Sequence, residues 1–133
     1  VDDEHRMNEL LAISQKLKDK KNFSVLSGDD PSFNFFMSKG ADGVISVAAN
    51  IIPGPISKIC FLNLNKEFNK AIDLNKKFSN LYDLLFIESN PIPAKWVLEK
   101  MNKIKSGIRL PLISLNGTFH EEISKEMLKL ELI

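Results

Sequence analysis

Cysteine, tryptophan and tyrosine each occur once in this chain of 133 residues, and histidine only twice. A single cysteine excludes an intrachain disulfide and a thiolate metal cluster. His5 and His120 stand apart, each beside acids at an expected helix start, with no second histidine or cysteine at ligand spacing. No metal site is expected. An excess of charge of one sign is missing too: the net charge is only +1, which removes the electrostatic footprint of a nucleic-acid binder. The lysines from Lys16 to Lys21 read as a solvated helix face rather than a binding patch. Long hydrophobic runs are also lacking. The longest nearly apolar stretch, Val44 to Ile52, contains Ser46 and Asn50 and falls far short of the ~20 residues that cross a bilayer. No membrane association is expected. No signal-peptide pattern opens the chain, so a reducing, cytoplasmic setting is expected. Gly28, Gly40, Gly43 and Gly54 are spread among separate turns and form no dinucleotide or phosphate loop, so no cofactor is expected. No Gly-x-Ser-x-Gly elbow occurs either.

What is present is ordinary core material. Hydrophobic residues make up 44% of the chain, which suits one soluble domain and argues against disorder. Residues 3–20 read as an amphipathic helix with a stripe of Met7, Leu10, Leu11, Ser14 and Leu17. Its acids, Asp2, Asp3 and Glu4, sit at the positive end of the helix dipole and its lysines at the negative end. Phe23 to Ser27 reads as a short buried strand closed by Gly28. Asp30 followed by Pro31 is the signature of an N-cap and first helical position, and the helix it starts stops at Gly40. Val44 to Val47 is the second strand. The order α-β-α-β, with a helix between the strands, implies parallel pairing. Beyond it, residues 54–65, 67–87, 93–104 and 119–131 read as helices, with a break at Asn90 to Pro93 and a loop over 105–118. The 67–87 helix carries Phe68, Ala71, Ile72, Phe78, Tyr82, Leu85 and Phe86 on one side. Cys60, at helical spacing with Ile56 and Ile59, reads as core rather than nucleophile.

Two parallel strands make a poor sheet, because parallel strands are normally buried on both faces and each leaves an unpaired edge. The chain therefore either adds its strands to a larger sheet or is a piece of one. It begins at Val1 without a methionine, and a processed or trimmed piece is expected.

Five features occur in a telling order: Leu26 to Asp30 (Leu-Ser-Gly-Asp-Asp), Gly43 to Val47, Asn50, Asn90 to Trp96 (Asn-Pro-Ile-Pro-Ala-Lys-Trp), and Arg109 to Leu112. Together they resemble the dihydrodipicolinate synthase family over essentially the whole chain. The resemblance implies an α/β fold: the C-terminal part of a (β/α)8 TIM barrel, its last two strands and their helices, plus an α-helical C-terminal extension. Residues 1–65 would be the last βα units, with strands seven and eight at 23–27 and 44–47. Residues 66–133 would be the extension. The implied activity is a lyase that condenses pyruvate with aspartate semialdehyde through a Schiff base, in lysine and diaminopimelate biosynthesis. Nothing in the chain has the context of the family's imine lysine, so that residue is expected upstream, and no catalytic residue is assigned here. The chain alone is expected to be inactive.

Carried over from the family are Gly28 and Ile45, both bordering bound pyruvate, and the adjacent Asp29 and Asp30 near the mouth where the aldehyde enters, with helix capping the favoured role of Asp30. A glycine suits the first role because it lets backbone approach a small ligand without a Cβ clash. On the residues alone, Gly28 can equally end a strand at a tight turn, Ile45 looks like ordinary core, and Asp29 stays open between substrate contact and solvated loop. Asn90 is expected to fix a turn, Lys95 and Trp96 to be solvated and packed at a helix start, and Arg109 to make an ion pair. Family members are homo-oligomers, with tetramer contacts from helices corresponding to 3–20 and 31–39; Phe33, Phe36 and Met37 are the expected contacts. Two other functions compete. A sister pyruvate aldolase acting on a sugar acid is disfavoured by the Asn90–Trp96 element. A non-catalytic helical module would self-associate through the open strand edges and the 67–87 helix.

Overall fold

A computed structural model describes residues 3–18 and 23–133. The expectations for Asp2 and for Lys20 and Lys21 lie outside these residues. The chain divides into two compact units, Val1–Lys77 and Phe78–Ile133.

The first unit opens with α1, Glu4–Lys18. Asp3 caps it: its carboxylate accepts from the backbone N–H groups of His5 and Arg6, at 2.9 and 3.3 Å. Met7, Leu11 and Ser14 of the expected stripe are buried, and Ser14 returns its hydroxyl to the Leu11 carbonyl at 2.8 Å. Leu10 and Leu17 stay exposed. Strand β1 is Leu26–Ser27, helix α2 is Phe33–Ser38, and strand β2 is Gly43–Val44. The strands pair in parallel, Leu26 opposite Gly43 and Ser27 opposite Val44.

Both strands are shorter than their apolar runs. The ladder begins where Asp42 grips Val25, donating to its carbonyl at 2.8 Å and accepting its N–H on the carboxylate at 2.7 Å. It ends where Ile45 N–H donates to the Ser27 carbonyl at 2.8 Å. Past that point the Ser46 hydroxyl accepts from Ala49 N–H, and the chain coils into a 3-10 turn, Ala48–Asn50. Among the described residues each strand has one neighbour, so one edge and much of one face stay open. Leu26 is 46% exposed and Ile45 72%, which corrects the expectation of a buried first strand.

Two further corrections concern α2. Asp30 is not its cap. The Asp29 carboxylate accepts from Ser32 N–H at 3.0 Å, and the Asp29 carbonyl from Phe33 N–H at 3.1 Å, so the turn closes one residue earlier than the Asp-Pro pair suggests. Phe33, Phe36 and Met37, expected as contacts between subunits, are core: Phe33 is 0% exposed and its two neighbours are buried. A side chain already covered by its own chain has no surface left to offer a partner. The expected stop at Gly40 is observed, with φ of +112° that a side chain would disfavour.

Helix α3, Pro53–Leu64, packs on α2 and on the turn after β2, and α4, Phe68–Lys76, packs on α3 and α2. Two buried amides join α2 to α3, Asn63 Nδ2 donating to Asn34 Oδ1 at 2.8 Å. The single long helix expected over 67–87 is instead two, α4 and, in the second unit, α5 at Ser79–Leu84. Each serves a different core, since α5 packs on α7, His120–Lys129. Of the expected stripe, Ala71, Phe78, Tyr82 and Leu85 are buried, while Phe68, Ile72 and Phe86 are exposed.

Between α5 and α7 lie α6, Ile92–Lys100, and a long connection without regular structure that ends in the 3-10 turn Gly117–Phe119. Glu126 of α7 is buried and accepts from Asn80 Nδ2 at 2.8 Å and from the Lys129 ammonium. Among the described residues no helix is long and apolar enough to cross a membrane.

Candidate functional site

The C-terminal ends of β1 and β2 lie side by side, and the three residues expected at a site meet there. Gly28 follows the last residue of β1. Ile45 follows the last residue of β2 and is bonded through its N–H to Ser27, the neighbour of Gly28. Asp29 is half-buried and engaged in the turn that starts α2, so its carboxylate already has two partners on Ser32. Gly28 is exposed, and a Cβ built on it would meet no atom within 4 Å. The space before it is open, and its φ is outside the left-handed region that demands glycine. Among the described residues neither a left-handed turn nor a steric neighbour calls for glycine at position 28.

The residue that holds this end together is Asp30, read in the sequence first as a helix cap and, through the resemblance, near the mouth. Asp30 is 1% exposed, and its Oδ2 accepts from the N–H of Ala48 at 2.9 Å. That bond ties the loop after β1 to the turn after β2 across 18 residues of sequence. Its other oxygen, Oδ1, is buried with no hydrogen-bond partner among the described residues. The resemblance put this second acid near the mouth, but local rules assign it to a cap, and nothing in the sequence announces its bond to Ala48. The hydroxyl of Ser46, which turns the chain after β2, was also missed.

Other candidates stand apart from this end. Cys60 is half-buried on α3, and burial pushes its thiol above the ordinary range, which suits packing rather than nucleophilic chemistry. Glu67 and Glu121 are held below the ordinary carboxyl range by hydrogen bonds from Lys70 and Lys125, both as exposed surface pairs. No group of three or more metal-ligating side chains converges among the described residues.

In the second unit, Asn90 is exposed and precedes a cis peptide bond to Pro91. Trp96 does more than pack. Its ring stacks on His120 with centroids 4.7 Å apart, and the Lys100 ammonium lies 5.2 Å from the indole centroid. His120 Nε2 is 3.2 Å from the Leu115 carbonyl oxygen, which can only accept, so the ring donates. Trp96 and Leu115 border a small cavity of about 40 Å³ with Ile92 and Lys95. Arg109 is exposed and makes no ion pair among the described residues.

Residues 4–130 match the dihydrodipicolinate synthetase family. The chain is 42% identical over 115 residues to a 4-hydroxy-tetrahydrodipicolinate synthase of Coxiella burnetii, covering 85% of this chain and 40% of that protein. To the enzyme of Chlorobium luteolum it is 43% identical over 111 residues, covering 84% and 38%. Among solved structures, the dihydrodipicolinate synthase of Acinetobacter baumannii, complexed with pyruvate, superposes on all of this chain and 44% of its own, with TM-score 0.91 and 40% identity. The Thermotoga maritima enzyme superposes with TM-score 0.90 at 28% identity, covering 99% of this chain and 44% of that one. The chain thus spans about two fifths of the length of the curated relatives it matches.

Proposed function

Because this chain belongs to the dihydrodipicolinate synthetase family, we propose that it is the C-terminal part of a 4-hydroxy-tetrahydrodipicolinate synthase. In this reading β1 and β2 are the last two strands of a (β/α)8 barrel. Residues 1–65 complete its final βα units, and residues 66–133 form the helical extension. The intact enzyme condenses pyruvate with aspartate semialdehyde through a Schiff base on a lysine upstream of this chain. The imine turns pyruvate, a poor carbon acid, into a ready nucleophile by giving its carbanion an electron sink. The chain's own part is one wall of the pocket, with Gly28 and Ile45 against pyruvate and Asp29 at the mouth.

One observation carries the assignment of the wall. Gly28 and Ile45, far apart in sequence, end two neighbouring parallel strands together, with open space before the glycine. Sites in this barrel fold are assembled at the C-terminal ends of the strands. The exposed Leu26 and Ile45 are what strands of an incomplete barrel would leave uncovered. A sister aldolase acting on a sugar acid has less support, since the curated relatives quoted above are named for the synthase reaction. Homo-oligomeric assembly and a cytoplasmic setting belong to the same proposal.

The test is a graft in which this chain replaces the matched segment of the Acinetobacter baumannii enzyme. Treated with pyruvate and borohydride, the graft should gain one reduced pyruvyl adduct by mass spectrometry, and the chain alone none. An adduct on the chain alone would put the imine lysine within residues 1–133. A folded graft with neither adduct nor condensation activity would overturn the assignment.

A further inference from the structure

We propose that Asp30 is a positioning residue for pyruvate, acting through the backbone rather than touching the substrate; this rests on the reading of Gly28 and Ile45 given above. The tie from its Oδ2 to Ala48 N–H is not needed to make either strand or the helix: the ladder already ends at Ile45, and Asp29 holds the turn that leads into α2. What it fixes is the separation of two loops. Asp30 lies two residues beyond Gly28, and Ala48 three beyond Ile45. Two parallel strands hold each other in register only along their ladder, and past its end each chain is free to splay. A buried carboxylate on one loop, bonded to a buried amide on the other, removes that freedom where the two proposed pyruvate neighbours sit.

Burial sharpens the argument. A carboxylate with one oxygen lacking a partner is costly to keep inside a protein, so a purely packing role would be served better by an apolar side chain. A neutral amide would keep the tie while removing the charge, which makes the tie separable from the carboxylate itself.

The experiment uses the complete graft with Asp30→Ala and Asp30→Asn. Loosening the loops should weaken pyruvate binding and leave the chemistry of bound substrate largely intact. Asp30→Ala should therefore raise KM for pyruvate roughly tenfold while kcat changes by less than about threefold. Asp30→Asn, whose amide oxygen still accepts from Ala48 N–H, should stay within about threefold of the parent in both. An unchanged pyruvate KM in Asp30→Ala, or equal impairment in both variants, would overturn the proposal. So would a loss of kcat and melting temperature with KM unchanged, the mark of a structural role. Should Asp30→Ala not fold, hydrogen exchange on the unsubstituted graft decides. Pyruvate should slow exchange of the Ala48 amide together with those of residues 28–30, and slowing confined to one loop would overturn the tie. If the unsubstituted graft forms no borohydride-trapped adduct, the functional reading fails and this inference with it. An adduct with an insensitive Asp30 sinks this inference alone.

Discussion

At the scale of single residues, Gly28 separates two roles that its sequence leaves joined. A glycine that merely ends a strand would be needed for its backbone, whereas one facing a ligand would be needed for its missing side chain. An added Cβ meets nothing and φ imposes no strain. Gly28→Ala should therefore change the urea stability of the isolated chain by less than about 0.5 kcal/mol. In the graft the same methyl would project toward pyruvate and raise its KM roughly tenfold. A stability loss in the isolated chain would return the glycine to a turn. Phe33 makes the opposite case. It lies wholly inside the first unit, so Phe33→Asp buries an uncompensated carboxylate and should cost at least about 3 kcal/mol. Exposed Ile13 on α1 offers the comparison, and Ile13→Asp should leave the circular-dichroism melt nearly unchanged. If Phe33→Asp keeps its fold and only dissociates an oligomer, the core assignment is wrong.

At the scale of elements, the helix ends carry a correctable strain. Two residues past the ends of α3, α6 and α7 the backbone turns to positive φ: Lys66 at 61°, Asn102 at 55° and Glu131 at 55°. Each is followed by a backbone bond that reaches back to the last turn, as from Glu67 N–H to the Leu62 carbonyl at 2.8 Å. Asparagine tolerates this conformation, but lysine and glutamate pay a steric penalty in it that glycine avoids. Lys66→Gly should raise stability by about 0.5–1 kcal/mol in urea unfolding, and Asn102→Gly by less. No gain at Lys66 would mean that its side chain supplies compensating contacts. These helix ends also mark what local sequence rules can and cannot read. The parallel β-α-β order was legible because apolar runs and the Gly40 stop are local signals. The division of 67–87 was not, since neither proline nor glycine stands at Lys77 or Phe78 and the break follows a change of packing partners. Strand lengths were overread for a related reason: an apolar run says what wants to be buried, whereas a ladder extends only as far as it has a partner. The proposed site was half legible. The resemblance pointed to Gly28 and Ile45, but the bond from Asp30 to Ala48 joins residues 18 apart, and no local pattern announces it. The stack of Trp96 on His120, in the second unit, was hidden for the same reason.

At the scale of the whole molecule, the deciding quantity is uncovered apolar surface. The first unit presents an open groove of about 230 Å³ lined by Leu10, Ile13, Leu17, Phe23, Val25 and Leu26, and Ile45, just past β2, is exposed as well. Contiguous apolar surface beside an open strand edge invites pairing with another chain. The isolated chain should therefore self-associate as its concentration rises, as read by sedimentation velocity. Leu26→Lys should weaken that association, because the charge stands both in the groove and on the edge-bearing strand. Its effect on stability should stay within about 1 kcal/mol, since the side chain is half exposed. A chain that stays monomeric at every concentration would mean that these surfaces are covered by something other than a second copy. The graft then distinguishes two sources of the association. If the groove is where the rest of a barrel packs, completing the barrel covers it, and Leu26→Lys should damage the folding of the graft rather than its assembly. If the groove is a surface between subunits, the graft should fold with Leu26→Lys and lose only its oligomer. The proposed barrel placement predicts the first outcome, because an edge left bare inside a finished barrel has no physical counterpart.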